Sequence, residues 1–468
     1  MSFTTFEFAL FFAVCVIVYR LLGAKVRKYW LLAAACWFYW RAGGAWVFVL
    51  AGETAVSWLC ALAAEKWPRR RRAWTALGVC LVLALLAGLK YSGLISRAFG
   101  GAGGIAVPVG LSFFSFAVAG YLFDVYRGKI KAEHSLADYA VFVSFFPALL
   151  AGPVGRARDF LPQLKEQRPF DAGKFKNGLF RFVWGLFKKL AAADTIGLLV
   201  NAAYADPAAS TGADLAIAAV LYSMQIYFDF SAYTDMALGA ASMLGFDLGE
   251  NFDAPYLSRS VKDFWKRWHI SLTGWFREYL YVPLGGNRKG SARTLVNVLI
   301  VFAVSGMWHG ADVSFIIWGL LNGAYQVAGS LTQKGRARLR SRLGIREDSR
   351  LLAAWQGIVT FVLVTGAWIF FRADGAGQAV FIIKRILLTV RTGVSLSALA
   401  GMRRPALMAA LLAVPCVWED IRIRRGKRGF ESGPFVFWGA AAALLLLTAV
   451  FGVYGEGFDP QQFVYFRF

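Results

Sequence analysis

Histidine and cysteine are scarce in this chain, with three and five among 468 residues. The cysteines (Cys15, Cys36, Cys60, Cys80 and Cys416) lie in or beside apolar segments. They lack the paired spacing of a zinc or redox motif, so neither a metal site nor a disulfide framework follows from them. Charge is also scarce: Asp, Glu, Lys and Arg make up 17% of the residues and apolar types 58%, against about a quarter and a half in soluble domains. Mean hydropathy is +0.52. Such a chain has too little polar surface to cover a water-soluble globule, and disordered, collagen-like and small disulfide-scaffold classes are excluded. No Gly-x-Ser-x-Gly elbow or paired metal-ligand motif stands out. The glycine pairs Gly100–Gly101 and Gly285–Gly286 lack the fingerprint of a nucleotide loop. Serine-hydrolase and metalloenzyme chemistry therefore gain no support. No repeated motif relates the two halves, which weighs modestly against secondary transporters. No long linker appears, so residues 1–468 are expected to form one integral-membrane domain.

Aromatic and basic residues are abundant. There are 41 Phe, 17 Trp and 17 Tyr, and 51 basic residues against 28 acidic ones give a net charge of +23. The basic clusters fall between apolar runs, as in loops held on the cytoplasmic side of a membrane. That explains the excess without nucleic acid, which is not expected as a partner; anionic membrane lipids are.

The opening "MSFTTFEFALFFAVCVIVYRLLGAKVRKYW" has no basic residue ahead of its apolar run. It reads as a retained span over 3–22 and not as a signal peptide. Arg20, Lys25, Arg27 and Lys28 follow it, which predicts a cytoplasmic flank and an outside N-terminus. Further apolar runs lie near 29–40, 44–65, 73–95, 105–125, 137–153, 176–200 and 213–246. Others lie near 293–308, 311–331, 353–372, 404–420 and 435–453. The expected fold class is all-α: a polytopic, multi-pass protein of the inner or plasma membrane. It would have roughly a dozen transmembrane, re-entrant and interfacial helices. The basic runs at 69–72, 334–346 and 421–429 can share one side if an even number of crossings separates each pair.

His134 lies in the polar connector "KIKAEHSLADY" and is expected in solvent. His309 lies in "VFAVSGMWHGADVSFIIWG", between apolar stretches. An ionisable group there is either functional or a helix-break residue bonded to a neighbouring span, and the residues alone leave both open. His269 lies in "SVKDFWKRWHISLTGWFREYLYVPLGGNRKG" (260–290). Laid on one helix, this segment puts Val261, Phe264, Trp265, Trp268, Leu272, Trp275, Phe276 and Tyr279 on one face, with His269 at its border. It is an amphipathic headgroup-zone helix or a helix lining a polar cavity, and periodicity favours the first. In 225–258, Gln225, Asp229, Thr234 and Asp235 interrupt an apolar run without sharing a face. Buried carboxylates there need partners, which the abundant arginines nearby in sequence could supply, and structural glue is the plainer role.

Several of these segments carry a family resemblance. They are "VPVGLSFFSFAVAGYLFDVYRG" (107–128), "FFPALLAGPVGRARDFLPQL" (145–164), "GLFKKLAAADTIG" (185–197), "QIYFDFSAYTDMALGAASMLGF" (225–246), 251–290, "MWHGADVSFIIWG" (307–319), "AWIFFRA" (367–373) and "FVYFRF" (463–468). Together they resemble the membrane-bound O-acyltransferases (MBOAT), in the branch of the alginate O-acetylation membrane subunit. The match covers most of the chain from residue 107 onward, with core motifs in 107–331; the first hundred residues match in hydropathy only. The resemblance implies a many-helix bundle enclosing a central funnel. It implies acyl transfer by His309, which matches the histidine of the family's Trp-His-Gly motif, with His269 as the second histidine. Two departures stand out. Asn322 occupies the region where the branch often has a further histidine, and "SAYTDMA" replaces a Ser-Gly-Tyr-Ser-Asp pattern while keeping Tyr233 and Asp235.

The resemblance thus predicts an O-acyltransferase, an O-acetyltransferase serving an extracellular polysaccharide, with no bound cofactor or metal. An acyl thioester such as acetyl-CoA, on the cytoplasmic side, would be the co-substrate. An extracytoplasmic SGNH-like acetyltransferase and the polysaccharide acceptor would be partners. Neutral imidazole suits proton abstraction from the attacking hydroxyl, and burial would keep His309 neutral. His269, Arg267 and Asn322 are candidate oxyanion donors, and Arg267, Asn322 and Asp235 are candidate substrate-binding residues. The alternatives are D-alanyl transfer to teichoic acid, a transporter without covalent chemistry, and a non-catalytic scaffold.

Overall fold

A computed structural model describes residues 1–100, 103–166, 169–389, 403–427, 433–454 and 463. Of the 463–468 ending only Phe463 is therefore described, and Gly101 and 428–429 also lie outside. Among the described residues the regular structure is helical throughout. Among the described residues five segments are long and apolar enough to cross a membrane: Ala24–Lys66, Pro68–Lys90, Gly212–Leu244, Ser291–His309 and Arg350–Arg372.

The central pillar is Gly212–Leu244, 33 residues long, or about 50 Å at 1.5 Å per residue. It starts at a capping box, in which the Thr211 hydroxyl accepts from the Asp214 N–H while the Asp214 side chain accepts from the Thr211 N–H. Gly245 ends it in the left-handed conformation at φ 99°. Ala172–Phe187 packs along it backbone to backbone. A β-carbon on Gly178 would lie 2.7 Å from the Gly239 carbonyl oxygen, and one on Gly239 would lie 2.5 Å from that of Gly178. Small residues permit such approach where apolar lipid supplies no hydrophobic drive between helices. The pillar's carboxylates meet lysines at a local widening: Lys188–Ala193 is a π-turn between Ala172–Phe187 and Asp194–Ala205. It turns Lys188 to Asp235 (2.8 Å) and Lys189 to both Asp194 (2.8 Å) and Asp229 (2.7 Å). The partners of these acids are thus mostly lysines where arginines were expected, with Arg181 on Asp235 at 3.0 Å the arginine among them.

Outward surfaces are apolar. Trp355, Ile358 and Val362, spaced about one turn apart on Arg350–Arg372, are more than half exposed, as a lipid-facing stripe would be. Three contacts join elements near the first basic residues. Arg20 donates to the Met243 carbonyl at 2.7 Å, Lys28 pairs with Asp138 at 2.8 Å, and His134 meets Glu65 at 3.0 Å. These contacts bring together the first interhelical turn, the end of the pillar and the residues before Arg69–Arg72. Gln333–Arg342 follows the helix that returns beside Ser291–His309, and Arg422 lines a cavity with Lys174 and Glu250.

Two segments differ from their expected shape. The run 137–153 breaks into Leu136–Ser144 and Phe146–Leu149. The segment 260–290 is not one amphipathic helix: it divides into Val261–Arg267, Ile270–Phe276 and a π-turn over Arg277–Tyr281. The break falls at Trp268, which is extended, and His269, at φ 46°. A helix Gly375–Thr389 was not anticipated as an apolar run.

Candidate functional site

His309 is the last residue of Ser291–His309, and Gly310, extended at φ −173°, stops the helix there. The chain turns back through Asp312, whose side chain caps Val313–Leu331 by accepting from the Ser314 N–H. The two helices press together through glycines. A β-carbon on Gly306 would lie 2.3 Å from the Phe315 carbonyl oxygen, and one on Gly319 would lie 2.2 Å from that of Phe302. This closeness seats Trp318 against His309, with ring centroids 4.9 Å apart and edge-to-face. Trp308 at 4.7 Å and Phe371 at 5.1 Å complete an aromatic box around the imidazole, which is 3% exposed.

The carbonyls that end this helix are capped by the Pro68–Lys90 segment and its neighbour. Lys90 donates to the Trp308 carbonyl and approaches the Ser112 hydroxyl at 3.4 Å, and the Tyr91 hydroxyl donates to the Met307 carbonyl. A cation at a helix C-terminus is favoured by the helix dipole.

His269 is 1% exposed and held by Asn251. The Asn251 carbonyl accepts from the Ile270 N–H at 2.9 Å. Its side-chain oxygen accepts from the Ser271 N–H at 3.2 Å and the Ser271 hydroxyl at 2.8 Å. The same oxygen lies 3.1 Å from His269 Nδ1. An amide oxygen only accepts, so Nδ1 carries the proton and the lone pair lies on Nε2. Phe230 meets the ring edge-to-face at 4.8 Å. Trp308 stands between the two histidines, 4.7 Å from His309 and 6.4 Å from His269 by ring centroids.

The other sequence candidates are placed differently. Arg267 pairs with Asp263 at 3.0 Å and with Asp253, and its carbonyl accepts from the Asp253 N–H, so it staples 251–254 to the turn before His269. Asn322 is buried, accepting from Trp265 Nε1 at 3.1 Å and donating to the Trp318 carbonyl at 2.8 Å. That fixes the Trp318 wall of the box. Asp235 is bound by Arg181 and Lys188 and borders a cavity of about 630 Å³, also lined by Tyr227, Glu250 and Asp420.

A cavity of about 660 Å³ runs from Arg156, Gln163, Lys174 and Glu250 to Phe113, Ile270 and Ser271. Its inner end thus reaches Ser271, the Asn251-bonded neighbour of His269, and Phe113, which stacks near the His269 ring at 6.2 Å. Beside Arg156 at the outer end, Glu278 binds Lys129, Arg156 and Arg158. Hydrogen bonding from Arg158, then that from Lys129 and the charge of Arg156, lowers its carboxyl to about 2. Among the described residues no group of three His, Cys, Asp or Glu could hold a metal ion.

Sequence reasoning did not single out Asn251, Ser271, Lys90 or Phe371. Asn251, Ser271 and Phe371 lay inside quoted motifs, and Lys90 lay inside the apolar run 73–95.

Residues 107–373 match the sequence profile described as MBOAT, membrane-bound O-acyltransferase family. The chain is 38% identical over 381 residues to the probable alginate O-acetylase AlgI of Pseudomonas aeruginosa, covering 78% of this chain and 70% of that one. It is 32% identical to the peptidoglycan O-acetyltransferase of Helicobacter pylori, over 76% of this chain and 73% of that one. It is 28% identical to the teichoic acid D-alanyltransferase of Bacillus subtilis, over 45% of this chain and 56% of that one.

Proposed function

Because the chain belongs to the membrane-bound O-acyltransferase family, we propose that this O-acetyltransferase acts on a cell-surface polysaccharide. In this reading it takes an acetyl group from a thioester such as acetyl-CoA on the face with the basic loops, the cytoplasmic face by the positive-inside rule. The group passes toward an acceptor on the far side, where an extracytoplasmic SGNH-like acetyltransferase completes delivery. The relatives acting on alginate and peptidoglycan support a polysaccharide acceptor, since their matches span three quarters of the chain and the teichoic acid match less than half.

One observation carries the reading: two buried imidazoles flank Trp308, and a cavity running from Arg156 and Glu250 reaches Ile270 and Ser271, next in the chain to His269. His309 serves as general base. It removes the proton of the attacking hydroxyl and returns it to the leaving thiolate, a role worth about 10²–10⁴ in rate. His269, its Nδ1–H held by Asn251, presents Nε2 to the same region and orients the acceptor. Asp235, Arg267 and Asn322 act on substrate indirectly, by holding the walls.

The test compares O-acetyl content of surface glycans in wild-type, deletion and His309→Ala cells. Ester should vanish in both altered strains while the variant remains inserted in the membrane. Unchanged O-acetylation in His309→Ala cells refutes the assignment. Loss of D-alanyl ester in place of acetyl ester identifies the teichoic acid reaction instead.

A further inference from the structure

An acyl transfer at His309 needs hydrogen-bond donors for the oxyanion of the tetrahedral adduct. Arg267 faces Asp253 and Asp263, and both polar atoms of the Asn322 side chain are engaged. Two groups beside His309 are in a different condition. Trp308 is 7% exposed, and its indole N–H, like that of Trp318, is buried without an acceptor among the described residues; of the two, only Trp308 also has a lysine beside it. A buried donor left without an acceptor costs about 1–3 kcal/mol, so its retention asks for a reason. Lys90 is half-buried, bonded to the Trp308 carbonyl, and its ammonium lies 5.5 Å from the centroid of the same indole. Among the described residues no carboxylate pairs with it. Elsewhere in the bundle Arg181, Lys188 and Lys189 each face at least one. The one step of the reaction that generates negative charge next to Trp308 is the formation of the adduct.

We propose that the Trp308 indole N–H and the Lys90 ammonium together receive the oxyanion. The inference rests on the acyl-transfer reading above. As the acceptor oxygen bonds to the thioester carbon, His309 takes the hydroxyl proton and the carbonyl π pair moves onto oxygen, between these two donors. When that pair returns to re-form the carbonyl, the C–S bond breaks and the thiolate leaves with the proton from His309. Lys90 also holds the Trp308 carbonyl, so the cation that stabilises the adduct fixes the end of the helix that presents the base. Charge and donor are both in place before reaction, which is the condition under which such groups lower a barrier.

The test uses the full chain in nanodiscs together with its extracytoplasmic acetyltransferase partner, with acetyl-CoA and mannuronate oligomers as probes, reading CoA release and ester formed. Lys90→Met is expected to lower kcat about 10²–10³-fold, the loss seen for one oxyanion donor, with KM little changed. Trp308→Phe, which keeps the ring and removes the N–H, should lower kcat at least tenfold. Lys90→Arg, which keeps the charge, should restore most of the Lys90→Met loss. Melting temperatures of all three are measured alongside. Full kcat in Lys90→Met and Trp308→Phe overturns the proposal, as does a loss confined to KM. A kcat loss that follows melting temperature across the three variants, with no rescue by arginine, also overturns it. A wild-type protein that releases no CoA and forms no ester overturns the underlying acyl-transfer reading instead. Activity lost in His309→Ala but kept in the other variants removes only the oxyanion pair.

Discussion

His269 holds φ 46°, a region that costs a residue bearing a β-carbon about 1–2 kcal/mol. It is kept there by the hydrogen bonds of Asn251 to Ile270 and Ser271. Strain of this kind persists only where the surroundings over-determine it. His269→Gly should therefore be about 1 kcal/mol more stable than His269→Ala in denaturant unfolding, although both lack the imidazole and should transfer acetyl poorly. Equal stability of the two variants would show that the left-handed backbone is not a constraint. Both histidines were legible in the sequence because ionisable groups stand out against apolar surroundings. The αL break at His269 was not, because no glycine or proline marks it and the aromatic spacing runs through it unbroken. Asn251 was equally hidden, since its bonds form only once 251 and 269–271 meet in space. Lys90 was not singled out in the sequence, and only the packing of Pro68–Lys90 beside the Trp308–His309 terminus distinguishes it.

At the level of elements, the π-turn at Lys188–Ala193 and the Ser291–His309 hairpin make opposite demands. The π-turn gathers charge: Lys189 alone faces Asp194 and Asp229. Lys189→Met should cost about 3–5 kcal/mol, the usual consequence of stranding buried carboxylates, and a melting temperature within a degree or two of wild type would contradict it. The hairpin excludes atoms. Gly319→Ala places a methyl 2.2 Å from the Phe302 carbonyl oxygen, so the helices must part. Overpacking of that kind costs about 1–3 kcal/mol, and the displaced Trp318 should lower acetyl transfer along with the melting temperature. The apolar runs had located most helices, because length and hydropathy are local properties. The π-turn and the break near Phe145 were not visible, because both depend on which neighbours accept the inward-turned side chains.

Over the whole molecule, Glu278 ties three basic residues together. Its folded carboxyl lies at about 2, below the roughly 4.3 of an unfolded glutamate. Its contribution is thus fully present above about pH 4.3 and is lost as pH falls toward 2. Glu278→Gln should flatten that part of the acid-stability profile, and an unchanged profile would exclude this cluster as its source. The shared side of the basic runs is an expectation from loop composition alone, whereas the contacts of Arg20, Lys28 and Glu65 tie the first interhelical turn to the end of the pillar and to the residues before Arg69–Arg72. The cavity that reaches Ile270 and Ser271 beside His269 was beyond sequence reasoning, since its wall draws on residues from 113 to 274. The measurement that tests the account most directly follows radiolabelled acetyl groups in sealed vesicles of known orientation carrying the full chain and its acceptor machinery. Acetyl-CoA supplied to the basic-loop side should give labelled ester on acceptor at the opposite side, and none with His309→Ala. Label that reaches acceptor equally well in the His309→Ala vesicles would contradict it.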